Sequence, residues 1–425
     1  MVEYYIRTYV RYSIIFVFKG KKLERQILHV DVNNAFLSWT AIDMLKKGHP
    51  IDIRTIPSII GGDEERRSGI VLAKSPIAKK FGIITGEPIY FARKKCNKLE
   101  VYSGDFEVFK KYSNDLYNLF LEYTDKIERF SIDECFLDLT NFLQNRKLID
   151  IAKEINSRVE KELGFTVNVG VSSNKLLAKM ASDFEKPNKV HTLYEYEIED
   201  KMWSLPVSEL FMIGKKTVPK LHNLRIKTIG DLAKTDKELL IKRFGKHGIL
   251  MWNYANGIDE DEVNSKVELP KSIGNSVTLP QDLKNVDEIC KIVIALCEQV
   301  SYRLRKYSLV ANTVNVQLRT KDFKDYSHQK ALKFSTSSTK EIIEIAKQIV
   351  LEMYKNEPIR LIGVRVDNLE NKDEVQLSIF ANDLKQDKLD NVVDNLKLKY
   401  GYNSITRAGE LDIKDIVKGK EKKMK

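Results

Sequence analysis

Two adjacent acidic residues, Asp133 and Glu134, interrupt an apolar stretch of the chain, KIERFSIDECFLDL (residues 126–139). Side chains alternate between the two faces of a strand, so neighbours on one straight strand do not converge on one point. We therefore interpret the stretch as two short strands, residues 127–131 and 135–139, joined by a tight turn that carries the acidic pair. Most acidic turns are solvated hairpin tips. The alternative is a cation site, which needs at least one more carboxylate from elsewhere in the chain.

A third carboxylate, Asp31, lies near the end of the apolar run ILHVDV (residues 27–32), which predicts a buried strand. Asn33 and Asn34 then turn the chain into a stretch with helical periodicity, AFLSWTAIDMLKKG. A buried charge costs several kcal/mol unless it is paired or bound to a metal. Asp31 is therefore the predicted partner of the acidic pair in a cation site.

A helix with a basic face is predicted within FTVNVGVSSNKLLAKMASDFEKPNKVHTL (residues 165–193), after a strand and a turn. Ser172 or Ser173 can cap this helix, and Pro187 ends it. Charged side chains recur at every fourth position and so share one face of the helix. These residues are Lys175, Lys179 and Asp183, and Lys186 extends the set. On most proteins such a face is only solvated.

A turn that could hold a phosphate is predicted within LFMIGKKTVPKLHNLRIKTIGDLA (residues 210–233). Gly214, Lys215 and Lys216 lie there between two short predicted helices. This pattern is typical of a helix-hairpin-helix, whose turn amides and helix N-terminus hold a backbone phosphate without reading sequence. A glycine between helices is usually only a cap, but the lysines that follow it favour the helix-hairpin-helix.

Positive charge is in excess along the chain, which has 71 lysines and arginines against 60 acidic residues, a formal net charge of +11. Basic side chains supply affinity for a polyanion by releasing counterions from its phosphates, although many basic proteins bind none. Beyond a charged linker, a separate α+β domain carries basic residues on or near its predicted strands. We interpret these residues as a phosphate-facing sheet: Lys306, Arg319, Lys321 and Arg365.

Length and composition exclude several classes of protein. A chain of 425 residues exceeds one ordinary core, so about two to four domains are expected. Its 43% hydrophobic and 31% charged residues are typical of a soluble globular protein. The four cysteines show no CxxC spacing, which argues against a zinc site and a disulfide framework and fits a reducing cytosol. No segment is apolar over a length that spans a membrane.

Three carboxylates and several phosphate-binding elements suit one chemistry. Two Mg²⁺ ions about 3.5–4 Å apart can activate a primer 3′-hydroxyl and neutralise a triphosphate during in-line displacement. Mg²⁺ prefers oxygen ligands, which Asp31, Asp133 and Glu134 supply, and the backbone carbonyl of Val32 could add another.

The sequence resembles the Y-family (translesion) DNA polymerases, in particular the DNA polymerase IV-like members. The resemblance rests on four motifs, which occur in the order found in that family: HVDVNNAF, SIDECFLDLT, GVSSNKLLAKMASDFEKPN and IGKKTVPKLHNLRIKTIGDLA. The resemblance covers roughly residues 27–408. It implies a low-fidelity DNA-directed DNA polymerase for repair and damage tolerance, which transfers a nucleotide from a dNTP to a primer 3′-OH. No separate nuclease motif is evident in the sequence, so we expect no proofreading. The resemblance further implies a cytoplasmic monomer on primer-template DNA, with no membrane, in which Mn²⁺ can replace Mg²⁺.

The resemblance implies an α+β multidomain fold of the right-hand polymerase type. Its predicted parts are a palm with a ferredoxin-like core (27–34 and 101–194), fingers (35–100), a helical thumb with the helix-hairpin-helix (195–261) and an α+β little finger (273–381). Outside them lie an N-terminal extension (1–26), a linker (262–272) and a C-terminal helix with a basic tail (382–425).

The resemblance also assigns roles to single residues. Asp31, Asp133 and Glu134 hold the metals, and Lys186 reaches the phosphates of the nucleotide. Phe36 matches the aromatic residue that blocks a ribose 2′-hydroxyl, or else it is a core aromatic. The fingers depart from the family pattern: where many members have a tyrosine and an arginine on the triphosphate, this chain has Pro76 and Lys79. Lys79 supplies a point charge without the bidentate geometry of arginine.

A partner is implied by EVQLSIF (residues 374–380), where Gln376, Leu377, Ile379 and Phe380 resemble the pentapeptide by which bacterial polymerases dock on the sliding clamp. An extended segment with one glutamine and a few apolar anchors suits a small hydrophobic groove. The alternative is that these apolar residues simply end the core of the last domain.

Two other functions are less consistent with the sequence. GGDEE (residues 61–65) is similar to the GGDEF signature of diguanylate cyclases, but Glu65 stands in place of the aromatic residue, and two arginines follow in what reads as an exposed loop. A catalytically inactive, polymerase-like accessory protein that binds DNA would have no reason to retain three costly carboxylates.

Overall fold

The structure of the chain is a computed structural model that describes residues 24–62, 69–266, 268–374 and 384–407. Within these ranges the strands are β1 (Ile27–Val32), β2 (Ser58–Gly61), β3 (Val71–Lys74), β4 (Glu100–Ser103), β5 (Ile127–Arg129), β6 (Glu134–Asp138), β7 (Val167–Ser172), β8 (Val190–Thr192), β9 (Ser272–Leu283), β10 (Leu309–Thr320), β11 (Asp325–Thr336) and β12 (Ile359–Asn371).

The α-helices of the same ranges are α1 (Ala35–Lys46), α2 (Pro76–Lys80), α3 (Ile89–Lys95), α4 (Phe106–Leu121), α5 (Leu148–Arg158), α6 (Lys175–Asp183), α7 (Ile198–Lys201), α8 (Val218–Asn223), α9 (Ile229–Lys234), α10 (Lys237–Phe244), α11 (Lys246–Ala255), α12 (Val286–Lys306), α13 (Thr339–Met353) and α14 (Leu384–Tyr400). None of these described helices has both the length and the apolarity that crossing a lipid bilayer requires.

The chain forms two compact units. The first unit comprises the residues up to Arg54 together with Val108–Lys266. The second unit comprises Thr55–Glu107 and the chain that follows Lys266. Each unit therefore combines segments that are distant in the sequence.

A five-stranded sheet in the order β5-β6-β1-β7-β8 forms the centre of the first unit. Strand β1 runs antiparallel to both of its neighbours, β6 and β7. All six of its residues are buried, which confirms the buried strand predicted for residues 27–32. Asn34 then adopts a left-handed backbone conformation with φ of 52° at the start of α1. The end of β1 is thus fixed in position by strands on both sides.

The hairpin that carries the acidic pair differs from its prediction. Strand β6 already begins at Glu134, so only Asp133 remains in the turn. Glu134 pairs in register with Asp31 across the β1–β6 ladder. Residues directly opposite each other in an antiparallel pair share a face of the sheet. The sheet register therefore brings these two carboxylates together.

The boundaries of α6 also differ from the prediction. Its N-cap is Asn174, whose side-chain oxygen accepts a hydrogen bond from Leu177 N, and not one of the preceding serines. The helix ends at Asp183, four residues before Pro187. Ser172 is unavailable as a cap because it belongs to β7 and its hydroxyl donates to the carbonyl oxygen of Leu193.

Helix α6 also forms the base of the helical part of the first unit. The apolar side chains of α7 to α11 form one buried cluster with those of α6. This cluster includes Leu177, Met180, Ile198, Leu232 and Met251. Helix α6 therefore joins the sheet to the helices that follow it.

The second unit contains two further sheets. One is small, in the order β3-β2-β4, with β2 antiparallel to β3 and parallel to β4. The other is a four-stranded antiparallel sheet in the order β11-β10-β12-β9. Helices α12 and α13 cover one face of the larger sheet with an apolar core. Its other face carries mostly polar or small residues, such as Asn315, Gln317 and Gly363, together with Leu361.

Gly170 of β7 allows α6 to lie close to the sheet. A Cβ atom at this position would overlap the carbonyl oxygen of Ala178 and would stand 2.6 Å from Ser182 N. Both obstructing groups belong to the helix backbone, which cannot move aside as a flexible side chain can. The close approach therefore requires glycine at this position.

We predict that Gly170→Ala lowers the free energy of unfolding by about 3 kcal/mol or more, because the added methyl group forces α6 away from the sheet. Gly214→Ala is the control, since a Cβ atom there meets nothing within 4 Å. Urea unfolding followed by circular dichroism measures both variants. Equal stability of the two would contradict the close packing of α6 on β7.

Candidate functional site

Asp31 and Glu134 form the centre of the site. The Asp31 side chain lies near the end of the central strand and is only 7% exposed. Glu134 stands opposite it at the first position of β6 and is less buried. Two facing carboxylates in a protected place repel each other, so the arrangement requires positive charge between or beside them.

Two lysines supply that charge. Lys179 of α6 is only 7% exposed. Its Nζ lies 3.2 Å from Glu134 Oε1 and 3.8 Å from Asp31 Oδ2. Lys186, in the loop after α6, places its Nζ 2.5 Å from Asp31 Oδ2 and 2.9 Å from Asp183 Oδ1. The interpretation of this helix face as merely solvated is therefore wrong for Lys179, which is buried against the carboxylates.

The two carboxylates differ in their protonation equilibria. Burial raises the pKa of Asp31, although Lys186 and Lys179 act in the opposite direction. Burial also acts to raise the pKa of Glu134, but the neighbouring His29 and Lys179 outweigh it and lower the pKa to about 2. Glu134 is thus fully ionised at neutral pH.

Asp133 joins the site through the backbone. Its carbonyl oxygen accepts a hydrogen bond of 3.0 Å from Val32 N, which attaches the turn to the end of β1. Its carboxylate accepts a 2.6 Å hydrogen bond from Ser131 Oγ within the turn. The turn is therefore adjacent to Asp31, while the Asp133 carboxylate is held by its own turn.

In the described ranges, no group of three or more His, Cys, Asp or Glu side chains is arranged to hold a metal ion. Asp31 and Glu134 instead converge on the ammonium group of Lys179, and Asp31 also pairs with Lys186.

His29 is a residue of this site that the sequence reasoning missed. Its imidazole is fully buried, with Nδ1 2.8 Å from Ser182 Oγ and Nε2 3.4 Å from Glu134 Oε2. At 3.4 Å the second contact is longer than an ordinary hydrogen bond. Burial lowers the pKa of His29, although Glu134 opposes this effect. The period of two along β1 could have revealed it, because His29 and Asp31 share one face of the strand.

Phe36 lies on the first turn of α1 and is half-buried. Its ring stacks on Phe109 at a centroid distance of 4.6 Å and an interplanar angle of 26°. It also meets Trp39 edge-on at 6.3 Å. One side of the ring is thus packed in the core while part of it stays accessible.

The predicted phosphate-binding turn is exposed at Gly214, Lys215 and Lys216. The carbonyl oxygen of Gly214 accepts a 2.8 Å hydrogen bond from Thr217 N, and α8 begins one residue later. Only a 3₁₀ turn at Val207–Glu209 precedes it, so the prediction of a helix on each side holds for the following helix alone.

Arg319 and Arg365 lie on the uncovered face of the larger sheet in the second unit. Arg365 stands opposite Asn315, which is four residues before Arg319 on β10, so the two arginines share a face. Each is paired with an acidic neighbour. Arg319 Nε lies 2.8 Å from Asp325 Oδ1, and Arg365 Nε lies 3.0 Å from Asp367 Oδ2.

The remaining predicted residues are either in the second unit or not described. Lys79 is exposed on α2. The predicted clamp-binding residues Gln376, Leu377, Ile379 and Phe380 lie outside the described residues. So do most of the predicted N-terminal extension, the basic tail and the last three residues of GGDEE.

Comparison with known families covers more than half of the chain. Residues 30–183 match the impB/mucB/samB family, and residues 270–379 match the C-terminal domain of that family. The first range contains all three carboxylates and Lys179, and it ends three residues before Lys186. The second contains the two arginines of the larger sheet.

Relatives match the chain almost from end to end. DNA polymerase IV of Clostridium acetobutylicum is 49% identical over 91% of this chain and 98% of its own length. DNA polymerase IV of Acetivibrio thermocellus is 38% identical over 91% of this chain and 97% of its own. DNA polymerase IV 2 of Bacillus subtilis is 34% identical over 91% of this chain and 95% of its own length.

Solved structures agree with the α+β multidomain fold that was predicted. A Y-family DNA polymerase chimera of Dbh and Dpo4 matches with a TM-score of 0.71 and 25% identity, over 81% of this chain and 98% of the chimera. An insertion ternary complex of Dbh DNA polymerase matches with a TM-score of 0.58 and 24% identity over the same shares, which supports the fold alone. On its sequence, its fold and its relatives, the chain belongs to the Y family of DNA polymerases, among the proteins named DNA polymerase IV.

Proposed function

We propose that Asp31, Asp133 and Glu134 bind two Mg²⁺ ions and that the chain uses them to transfer a nucleotide from a dNTP to a primer 3′-hydroxyl. The chain is a DNA-directed DNA polymerase, a nucleotidyltransferase of the translesion type. The observation that carries the proposal is the facing pair of Asp31 and Glu134, with an ammonium group within 4 Å of both.

The donor set fits a divalent metal. Carboxylate oxygens are the ligands that Mg²⁺ prefers, and Mn²⁺ accepts the same ligands. Glu134 is ionised at neutral pH, and the lysines beside Asp31 indicate that positive charge is favourable there. When bound, the ions would lower the charge repulsion of the triphosphate and polarise the attacking hydroxyl.

The surrounding residues then have definite roles in this proposal. Lys186 moves from Asp31 to the phosphates of the dNTP, which frees Asp31 as a ligand. Lys79 adds a second positive charge for the triphosphate. Phe36 lies on the helix that follows Asp31 and presents its accessible edge to the sugar of the nucleotide.

We predict that Asp133→Asn lowers the rate of nucleotide incorporation by about a hundredfold or more, because the amide supplies no negative charge to the metals. Binding of primer-template DNA should stay unchanged, since phosphate contacts elsewhere supply that affinity. Primer extension over a range of Mg²⁺ concentrations and fluorescence anisotropy measure the two properties. Asp125→Asn, an exposed aspartate just before β5, is the control. Near-normal extension by Asp133→Asn would refute the assignment.

Sugar selection provides a second prediction. Phe36→Ala should raise the incorporation of ribonucleotides relative to deoxyribonucleotides by about tenfold or more, because the 2′-hydroxyl no longer meets the ring. Phe165→Leu is the control, since Phe165 packs on Trp39 in the same aromatic cluster. Unchanged sugar discrimination in folded Phe36→Ala would identify Phe36 as a core aromatic only.

Primer-template DNA binds, in this proposal, to the turn at Gly214–Lys216 and to the uncovered face of the sheet that carries Arg319 and Arg365. Phosphates would have to compete with Asp325 for Arg319. Gly363 and Ser276 lie opposite each other on that face, and their small size leaves room for a sugar-phosphate backbone.

We predict that Asp325→Asn tightens DNA binding, because it releases Arg319 from its ion pair. Arg319→Ala should weaken binding for all sequences alike and reduce the salt dependence by about one charge. In the Arg319→Ala background, Asp325→Asn should raise the affinity for DNA only slightly, because it then removes one negative charge and releases no arginine. Anisotropy titrations between low and high salt measure these effects, and a loss that depends on DNA sequence would be inconsistent with phosphate contacts.

Further parts of the proposal rest on the sequence. Gln376, Leu377, Ile379 and Phe380 bind a sliding clamp, which would raise the effective concentration of the enzyme at the primer end. The enzyme acts as a cytoplasmic monomer without proofreading. The palm, fingers, thumb and little finger have the boundaries predicted above.

A further inference from the structure

Asn168 is a fully buried polar residue next to the carboxylate site. It lies on β7, directly opposite Asp31 in the antiparallel pairing of β1 with β7, so the two side chains share a face of the sheet. A buried amide is expected to have its hydrogen-bonding groups satisfied. The partners of Asn168 show what this residue holds in place.

All four hydrogen bonds of the Asn168 amide involve the end of α6, the loop that follows it, or the segment just after Asp31. Its Nδ2 donates to the carbonyl oxygens of Ser182 at 3.0 Å and Glu185 at 2.8 Å. Its Oδ1 accepts from Lys189 N at 3.3 Å and from Asn33 Nδ2 at 3.1 Å. The orientation of the amide is unambiguous, because the reverse orientation would face its oxygen to two carbonyl oxygens.

The loop between α6 and β8 is thereby held by hydrogen bonds at both of its ends. Glu185, just before Lys186, and Lys189, just after the turn, both bond to the same amide. Asn33 also holds the loop, since its Oδ1 accepts a hydrogen bond of 2.9 Å from Asn188 N. Asn156 donates to the Asn188 side chain at 3.0 Å. Hydrogen bonds therefore hold the backbone on each side of Lys186, whose ammonium group pairs with Asp31.

We propose that Asn168 is a positioning residue that holds the loop in place so that Lys186 reaches the triphosphate of the incoming nucleotide. A lysine side chain is long and flexible, so its reach is determined by its backbone. Fixing that backbone in advance removes part of the ordering cost that nucleotide binding would otherwise carry. The inference rests on the proposed function, because it acts through the role of Lys186.

The central experiment is a double-mutant cycle on the full chain with primer-template DNA. Asn168→Ala should raise KM for the dNTP about tenfold, while kcat changes less, because a charged hydrogen-bonding contact to the phosphates is weakened. In the Lys186→Ala background, Asn168→Ala should change KM less than about twofold, since the residue it positions is gone. Equilibrium binding of a non-hydrolysable dNTP analogue should show the same pattern.

Asn174→Ala is the matched control. Asn174 is also a buried asparagine, and it caps the opposite end of the same helix with hydrogen bonds to Leu177 N and the carbonyl oxygen of Gly257. It should lower the melting temperature as Asn168→Ala does and leave KM for the dNTP unchanged. If Asn168→Ala does not fold, Asn168→Ser, which keeps a small polar group, replaces it in the cycle.

The outcomes separate this inference from the proposed function. An equal rise in KM with and without Lys186, or the same rise in Asn174→Ala, would overturn the role of Asn168 and leave that of Lys186 intact. An unchanged KM in Lys186→Ala itself would overturn the proposed contact of Lys186 with the triphosphate, and the positioning role would fall with it.

Discussion

The need to neutralise a negative charge at the end of a buried strand determines the arrangement of the first unit. Asp31 is held there by strands on both sides, and Glu134 faces it. A carboxylate in such a place is tolerated only beside a cation. Helix α6 provides one through Lys179, and it can do so only because Gly170 lets it lie close to the sheet. The close packing of α6 on the sheet is therefore also what brings the compensating charge of Lys179 to Asp31.

The need for positive charge beside Asp31 and Glu134 also relates the structure to the proposed catalysis. The place that attracts an ammonium group also suits a divalent cation, because both satisfy the same negative charge. In the proposed mechanism Lys186 leaves Asp31 for the phosphates when metal and nucleotide arrive together. The buried amide of Asn168 fits this exchange, since the loop must keep its backbone fixed while the lysine side chain changes partner.

The second unit meets a different constraint. Its larger sheet buries one face under α12 and α13, and the other face carries arginines whose charges are already paired with aspartates. In the proposed DNA complex, phosphates replace these carboxylates as partners of the arginines, which suits binding that does not depend on sequence.

The sequence by itself determined the buried strand at residues 27–32, the carboxylates that need a cation, and the motifs that place the chain in its family. These features are local: apolar runs, charge and short spacings. Only the tertiary structure decided that Glu134 begins β6, that Lys179 points inward, and that His29 and Asn168 belong to the site. The reason is that partners of these residues lie as far as 153 positions apart, as His29 and Ser182 do. Strand register and helix packing bring such groups together, and no local pattern encodes the distance between them.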